Sequence, residues 1–292
     1  MINRKRRKEG ESSSRELLSK ERGAVVKKWH GKAPVCVVFP NSYYIGMSNL
    51  ALHILYKTLN SDPDIVCERC FFDEKDELRS LESGKPLASF DLIFVTLSFE
   101  LDFVNIPKIL NRAGLAVLSS ERKDGDPLVI AGGICVMANP EPVSRFFDLF
   151  IMGDVESTVP LFVKRYSETK EKKRHATISE LNGFDWVYDP NTLDITYSPE
   201  GTVETFKPKD FSVTIESYKG KNLGTSAIIT SETEFAGLFL VEGTRGCPSR
   251  CPFCLLGNTY SFSYDRLEKI PSDVEDIGII GGGVSFHPRL LD

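Results

Sequence analysis

The sequence predicts an α/β protein: an N-terminal doubly wound parallel sheet, a β-rich linker, and the start of a second α/β unit. Three observations predict it. Short apolar runs recur at Val35–Phe39, Ile65–Phe72, Asp91–Leu97, Leu128–Ala131 and Leu149–Met152. Segments with helical spacing of apolar residues separate several of them, the arrangement that parallel pairing requires. Most of the runs end on turn-forming residues (Pro40-Asn41, Gly132-Gly133, Gly153-Asp154).

The run Val35–Phe39 is apolar throughout and reads as a buried strand. The helix expected over Met47–Leu59 carries Leu50, Leu52, Ile54, Leu55 and Leu59, with Ser48 or Asn49 as a capping residue. Further helices are expected over Phe103–Ala113 and Ser157–Ser167. The pattern changes after the charged stretch Lys170–Arg174. Residues 185–232 are rich in Thr, Tyr, Val, Pro and Gly, with a hairpin signal over Ile195–Val203. A new strand, Gly237–Glu242, leads into a cysteine cluster, and another, Ile277–Ile280, runs into Gly281-Gly282-Gly283. The expected organisation is a basic, disordered tail and lead-in over 1–32, a doubly wound domain over 33–170, a linker over 171–234 and a second unit over 235–292. Ligands of doubly wound sheets bind beyond the carboxyl ends of the strands, which is where Asn41–Gly46, Ser98, Gly132-Gly133 and Gly153-Asp154 fall.

With 41% hydrophobic and 26% charged residues and a net charge of −5, the chain has an ordinary globular composition. No general nucleic-acid-binding surface is indicated. The basic run Arg4–Lys8 reads as a solvated tail, because Gly10 and Ser12–Ser14 follow it. No apolar run is long enough to cross a bilayer and none follows the charged N-terminus, so no membrane partner is expected and the cytoplasm is the default compartment. In that compartment the seven cysteines read as ligands or buried thiols.

Cys247, Cys251 and Cys254 stand at CxxxCxxC spacing directly after a strand. Thiolates are soft ligands that suit iron–sulfur clusters and zinc, and three can hold a 4Fe–4S cluster with one iron left open. Pro248 and Pro252 bias the preceding cysteines toward extended backbone, which favours a loop around a cluster. The zinc alternative needs a fourth ligand such as His287 or a distant cysteine. Cys67 and Cys70 match CxxC, but residues three apart on a strand point to opposite faces. Together with Cys36 and Cys135 they read as inert buried thiols. His30, His53 and His175 read as structural or exposed.

The nonapeptide Gly246-Cys247-Pro248-Ser249-Arg250-Cys251-Pro252-Phe253-Cys254 resembles the radical S-adenosylmethionine (SAM) superfamily, whose motif is CxxxCxΦC. The resemblance implies a 4Fe–4S cluster on the three cysteines, with SAM chelating its open iron and cleaved by one electron to methionine and a 5′-deoxyadenosyl radical. It implies an electron donor such as flavodoxin or ferredoxin. Phe253 would lie near the adenine, and Gly281-Gly282 would bind the SAM amino group through the backbone; Gly283 stands where many members have Glu.

The run Phe39–Leu50, then Asn139-Pro140-Glu141-Pro142 and Gly153-Asp154-Val155-Glu156, is similar to a group of uncharacterised radical SAM proteins with a cobalamin-binding, flavodoxin-like N-terminal domain. The likeness covers roughly residues 20–292. Cobalamin domains that supply a histidine to cobalt place it where this chain has Tyr43, whose phenol stays protonated at neutral pH. Either cobalamin binds without that ligand or the domain has lost it; Ser98 and Gly132-Gly133 match the later parts of the cobalamin pattern.

A full β/α barrel takes roughly 200 residues or more, and the stretch from Cys247 to Asp292 has room for two strands and a helix. The expectation is the front part of a longer enzyme, from a shortened chain, an interrupted gene or a split protein whose remaining barrel is a separate partner chain. The substrate and catalytic residues are not legible. The main reading is a radical SAM enzyme. One alternative is a cobalamin- or nucleotide-binding module with a vestigial cluster segment. Another is an RNA- or protein-modifying methylthiotransferase, which needs three N-terminal cysteines in loops.

Overall fold

A computed structural model describes residues 14–74, 77–169, 171–208, 212–267 and 270–289. Its main sheet has the order β2-β1-β3-β4-β5-β6. The strands are β1 (Ala33–Phe39), β2 (Ile65–Phe71), β3 (Leu92–Thr96), β4 (Leu128–Gly132), β5 (Leu149–Ile151) and β6 (Val187–Tyr188). The first five pair in parallel and β6 antiparallel to β5. This is the 2-1-3-4-5 order of flavodoxin-like sheets, with its topological switch point between β1 and β3. Each expected strand of the N-terminal domain is present within a residue or two of its expected bounds.

The helices divide between the two faces. On one face α2 (Leu50–Ser61) and α5 (Val155–Thr169) cover Val35, Val37, Phe94 and Ile130. On the other, α3 (Ile106–Arg112) and the short α4 (Ile134–Ala138) help to cover Cys36, Val38, Ile93, Val95 and Val129. Burying each such aliphatic side chain stabilises the fold by about 1.5–3 kcal/mol. The single helix expected from Met47 is interrupted. A short α1 (Tyr43–Met47) stops at Ser48, and Asn49, in extended backbone, restarts the chain by accepting hydrogen bonds from the Ala51 and Leu52 amides at 3.0 and 3.4 Å.

Two expected boundaries differ from the structure. The sheet continues past residue 170, because α6 (Arg174–Leu181) and β6 come from the segment expected to be linker. Beyond them, β7 (Asp194–Tyr197) and β8 (Val203–Lys207) form the expected hairpin as a separate exposed ribbon. The lead-in is also packed from residue 14 onward. Glu21 is paired to both terminal nitrogens of Arg69 at 2.7 Å, Glu82 takes the same guanidinium at Nε, and Arg69 is fully buried. The basic run Arg4–Lys8 lies outside the described residues.

The second unit is a three-stranded sheet, β10-β9-β11, in which β9 (Phe239–Arg245) pairs in parallel with β11 (Ile277–Gly281) and antiparallel with β10 (Ser263–Tyr264). A strap over 213–230 ties it to the first domain. Glu216 exchanges backbone hydrogen bonds with Met152 and Asp154, and Ser226 donates to the Leu240 carbonyl at 2.8 Å. The Ala227 and Ile228 amides donate to His53 Nδ1 on α2. Among the described residues no helix is long and apolar enough to cross a membrane.

Candidate functional site

Strand β9 ends at Arg245, and the chain turns at Gly246 with φ +72°. A Cβ there would lie 2.8 Å from the carbonyl oxygens of Tyr260 and Ser261, so only glycine fits. The loop that follows carries Cys247, Cys251 and Cys254, all free and partly exposed. Arg250 sits at φ +45°. The Cys254 amide donates to the Cys251 carbonyl at 2.9 Å. Asn258, on the short helix α7 (Leu255–Thr259), donates to the carbonyls of Cys251 and Cys254 at 2.9 and 2.7 Å.

Among the described residues no three His, Cys, Asp or Glu side chains converge as a metal-holding group. The donor set nonetheless fits an iron–sulfur cluster in its chemistry: three unpaired, accessible thiols on one loop. His287 does not complete a zinc site. Its Nε2 contacts the Asp265 carbonyl at 2.8 Å and its Nδ1 accepts from the Arg289 amide at 3.1 Å. The remaining thiols are buried, Cys67 in the core on one face of the sheet and Cys36, Cys70 and Cys135 on the other. The opposite facing of Cys67 and Cys70 is the one their spacing predicts.

The glycine run at the end of β11 lies against the base of this loop. Gly281, at φ +156°, approaches Thr244 so closely that a Cβ would be 2.4 Å from its carbonyl oxygen. A Cβ on Gly282 would meet Leu256, and one on Gly283 would stand 3.3 Å from the Gly246 carbonyl. The Gly283 amide donates to Thr244 Oγ1 at 3.3 Å.

One cavity of about 370 Å³ joins these glycines to the first domain. Ser98, Gly132, Gly133 and Asp154 line it from the carboxyl ends of β3, β4 and β5; Arg245, Gly246, Gly281 and Gly282 line it from the second unit. Two groups of expected site residues, far apart in sequence, therefore share one space. Tyr43 and Phe253 do not line it. The Tyr43 ring packs edge-on against Phe71, its hydroxyl donates to Glu21 Oε1 at 2.6 Å, and burial raises its pKa further. Phe253 is 90% exposed.

The cavity's polar wall was not foreseen from the sequence. Arg245 is ion-paired to Asp154 at 3.1 Å, to Glu156 at 2.9 Å and to Glu242 at 2.6 Å. Burial pushes the Asp154 carboxyl up, and the Arg245 charge opposes that shift. Burial also disfavours the Arg245 cation, but hydrogen bonds and charge from Glu242 and Glu156 outweigh it and raise the pKa. Asp154 and Glu156 stand in the quoted Gly153–Glu156 run, yet nothing local shows that Arg245 meets them. Thr96 also lines the cavity. Its buried hydroxyl has no hydrogen-bond partner among the described residues.

Comparison with known proteins finds a family likeness in the first domain. Residues 51–190 match the family described as radical SAM proteins, N-terminal. That stretch, a little under half of the chain, is similar to the N-terminal domain of radical SAM proteins. An uncharacterized protein of Methanocaldococcus jannaschii is 27% identical over 226 residues, 77% of this chain and 41% of that protein. The chain thus spans about two fifths of the length of this relative. Among solved structures, the cobalamin-dependent S-adenosylmethionine radical enzyme OxsB with aqua-cobalamin bound gives a TM-score of 0.42 at 16% identity. The match covers 80% of this chain and 30% of that one.

Proposed function

We propose that this chain supplies the cluster loop and the adjoining ligand cavity of a radical SAM enzyme. Cys247, Cys251 and Cys254 are the cluster ligands in this reading, and the Gly281-Gly282 backbone receives the SAM amino group. A 4Fe–4S cluster held there would supply the electron that divides SAM into methionine and a 5′-deoxyadenosyl radical. The supporting observation is the cavity itself. It runs from Gly246 and Gly281-Gly282, beside the cysteine loop, to Ser98 and Gly132-Gly133 at the strand ends of the first domain. A substrate or second cofactor seated at those strand ends would face the cluster loop.

Cobalamin is the second cofactor of this proposal, held at Ser98, Gly132 and Gly133 without a cobalt ligand from position 43. Tyr43 is occupied by Glu21 and lies outside the cavity. The test has two arms. Under anaerobic conditions with dithionite, the reconstituted protein should form 5′-deoxyadenosine from SAM, and Cys251→Ala should not. A cobalamin titration followed by absorbance should saturate, with the same spectrum for Tyr43→His. A histidine-ligated spectrum in that variant would contradict the placement of residue 43, and absence of 5′-deoxyadenosine would contradict the radical reading. In the cell an electron donor such as flavodoxin or ferredoxin replaces dithionite.

A further inference from the structure

We infer that the cavity contains a subsite for an organic ammonium group attached to an apolar body, a substrate class that the radical SAM reading does not itself specify. Two independent features carry the inference. The first is charge. Asp154, Glu156 and Glu242 surround a single cation, Arg245, and take up its donors: Nε and Nη2 donate to Glu242, Nη1 and Nη2 to Glu156, and Nη1 lies 3.1 Å from Asp154. Three carboxylates against one guanidinium leave the wall net negative, with acceptor lone pairs to spare.

The second feature is Thr96. It is 7% exposed, and its hydroxyl is buried without a partner among the described residues. Along β3 the side chains alternate, so Thr96 faces the same side as Phe94, which lines the cavity too. A buried hydroxyl left unpaired costs roughly 1–3 kcal/mol, a cost that a hydrogen-bonding ligand removes. The walls between these polar groups are apolar, formed by Ile54, Leu55, Val155, Val159 and Leu256.

The start of α5 selects against a phosphate. In doubly wound folds a phosphate commonly sits on a helix N-terminus at the strand ends. Here the N-terminus of α5 holds Glu156 in its first turn with Asp154 just ahead of it. A ligand phosphate would meet two carboxylates. An ammonium ion would instead form charge-assisted hydrogen bonds to them.

Although the inference deepens the radical SAM reading, its test uses the full chain without a cluster, so failure of either can be told from failure of the other. The probes are tryptamine, the neutral near-isostere tryptophol and the anion indole-3-acetate, each titrated by calorimetry. Tryptamine should bind at least roughly tenfold more tightly than tryptophol, and indole-3-acetate should not bind. Glu156→Gln should remove most of the preference for the amine. Thr96→Val, nearly isosteric, should weaken tryptamine binding while leaving the thermal unfolding transition in place. Equal binding of amine and alcohol, binding of the acid, or no binding of any probe would overturn the inference, as would an unchanged affinity in both variants.

Discussion

Arg245 Nη1 stands 3.1 Å from Asp154 Oδ2. The residue that immediately precedes the Gly246-Cys247 turn is therefore ion-paired to the end of the fifth strand of the other unit. Asp154 also accepts the Tyr218 amide at 2.7 Å, so the strap joins the same junction. This contact ties the strand ends of the first domain to the base of the cysteine loop.

Replacing Arg245 by Gln leaves three carboxylates facing one another in a largely buried place. Removing one partner of such a network costs about 3 kcal/mol. Chemical denaturation should report a loss of that order. Adding Glu242→Gln to Arg245→Gln should recover part of it, because the second change removes one of the stranded charges. Strictly additive losses would show that the four groups do not act as a network.

Protonation of His53 should unlock the strap. The ring is almost fully buried, its Nε2 is 3.0 Å from the Met47 carbonyl, and its Nδ1 accepts from the Ala227 and Ile228 amides. A ring bonded this way must be neutral, and burial pulls its pKa down to about 4. The pKa is lowest in the folded state, so the stabilising contribution is complete above about pH 6.5. It falls away as the pH drops toward 4, by up to roughly 3 kcal/mol. Stability measured from pH 7 to 4 should show this loss, and His53→Leu, less stable at pH 7, should show a flatter profile.

Gly281 should tolerate no side chain. Its φ of +156° and the 2.4 Å that would separate a Cβ from the Thr244 carbonyl oxygen make Gly281→Ala disruptive to the β9–β11 pairing. A loss on the order of 2–3 kcal/mol is expected. Gly125, where nothing lies within 4 Å of an added Cβ, is the control, and Gly125→Ala should be close to neutral. Thermal unfolding of the two variants side by side decides the point.

The parts legible in the sequence were those encoded locally. Buried parallel strands announce themselves as short apolar runs, and Asn49 was one of two cap candidates, with Ser48. The spacing of Cys67 and Cys70 sent their side chains to opposite faces. Strand β6 escaped because two residues, Val187-Tyr188, carry no periodicity. The order of the lead-in escaped because it depends on Glu21 meeting Arg69, 48 residues later. The polar wall escaped for the same reason: residues 154, 156, 242 and 245 converge only through the fold. Tyr43 was placed in the cobalamin group by its position in the run after β1, but it turns toward Glu21 and away from the cavity.

The most direct test of the central claim is iron and sulfide analysis after anaerobic reconstitution, with Cys251→Ala and the buried-thiol variant Cys135→Ala in parallel. The protein and Cys135→Ala should each hold about four irons and four sulfides per chain, and Cys251→Ala should lose them. Iron retained by Cys251→Ala, or a protein that takes up zinc without sulfide, would contradict the assignment of this loop.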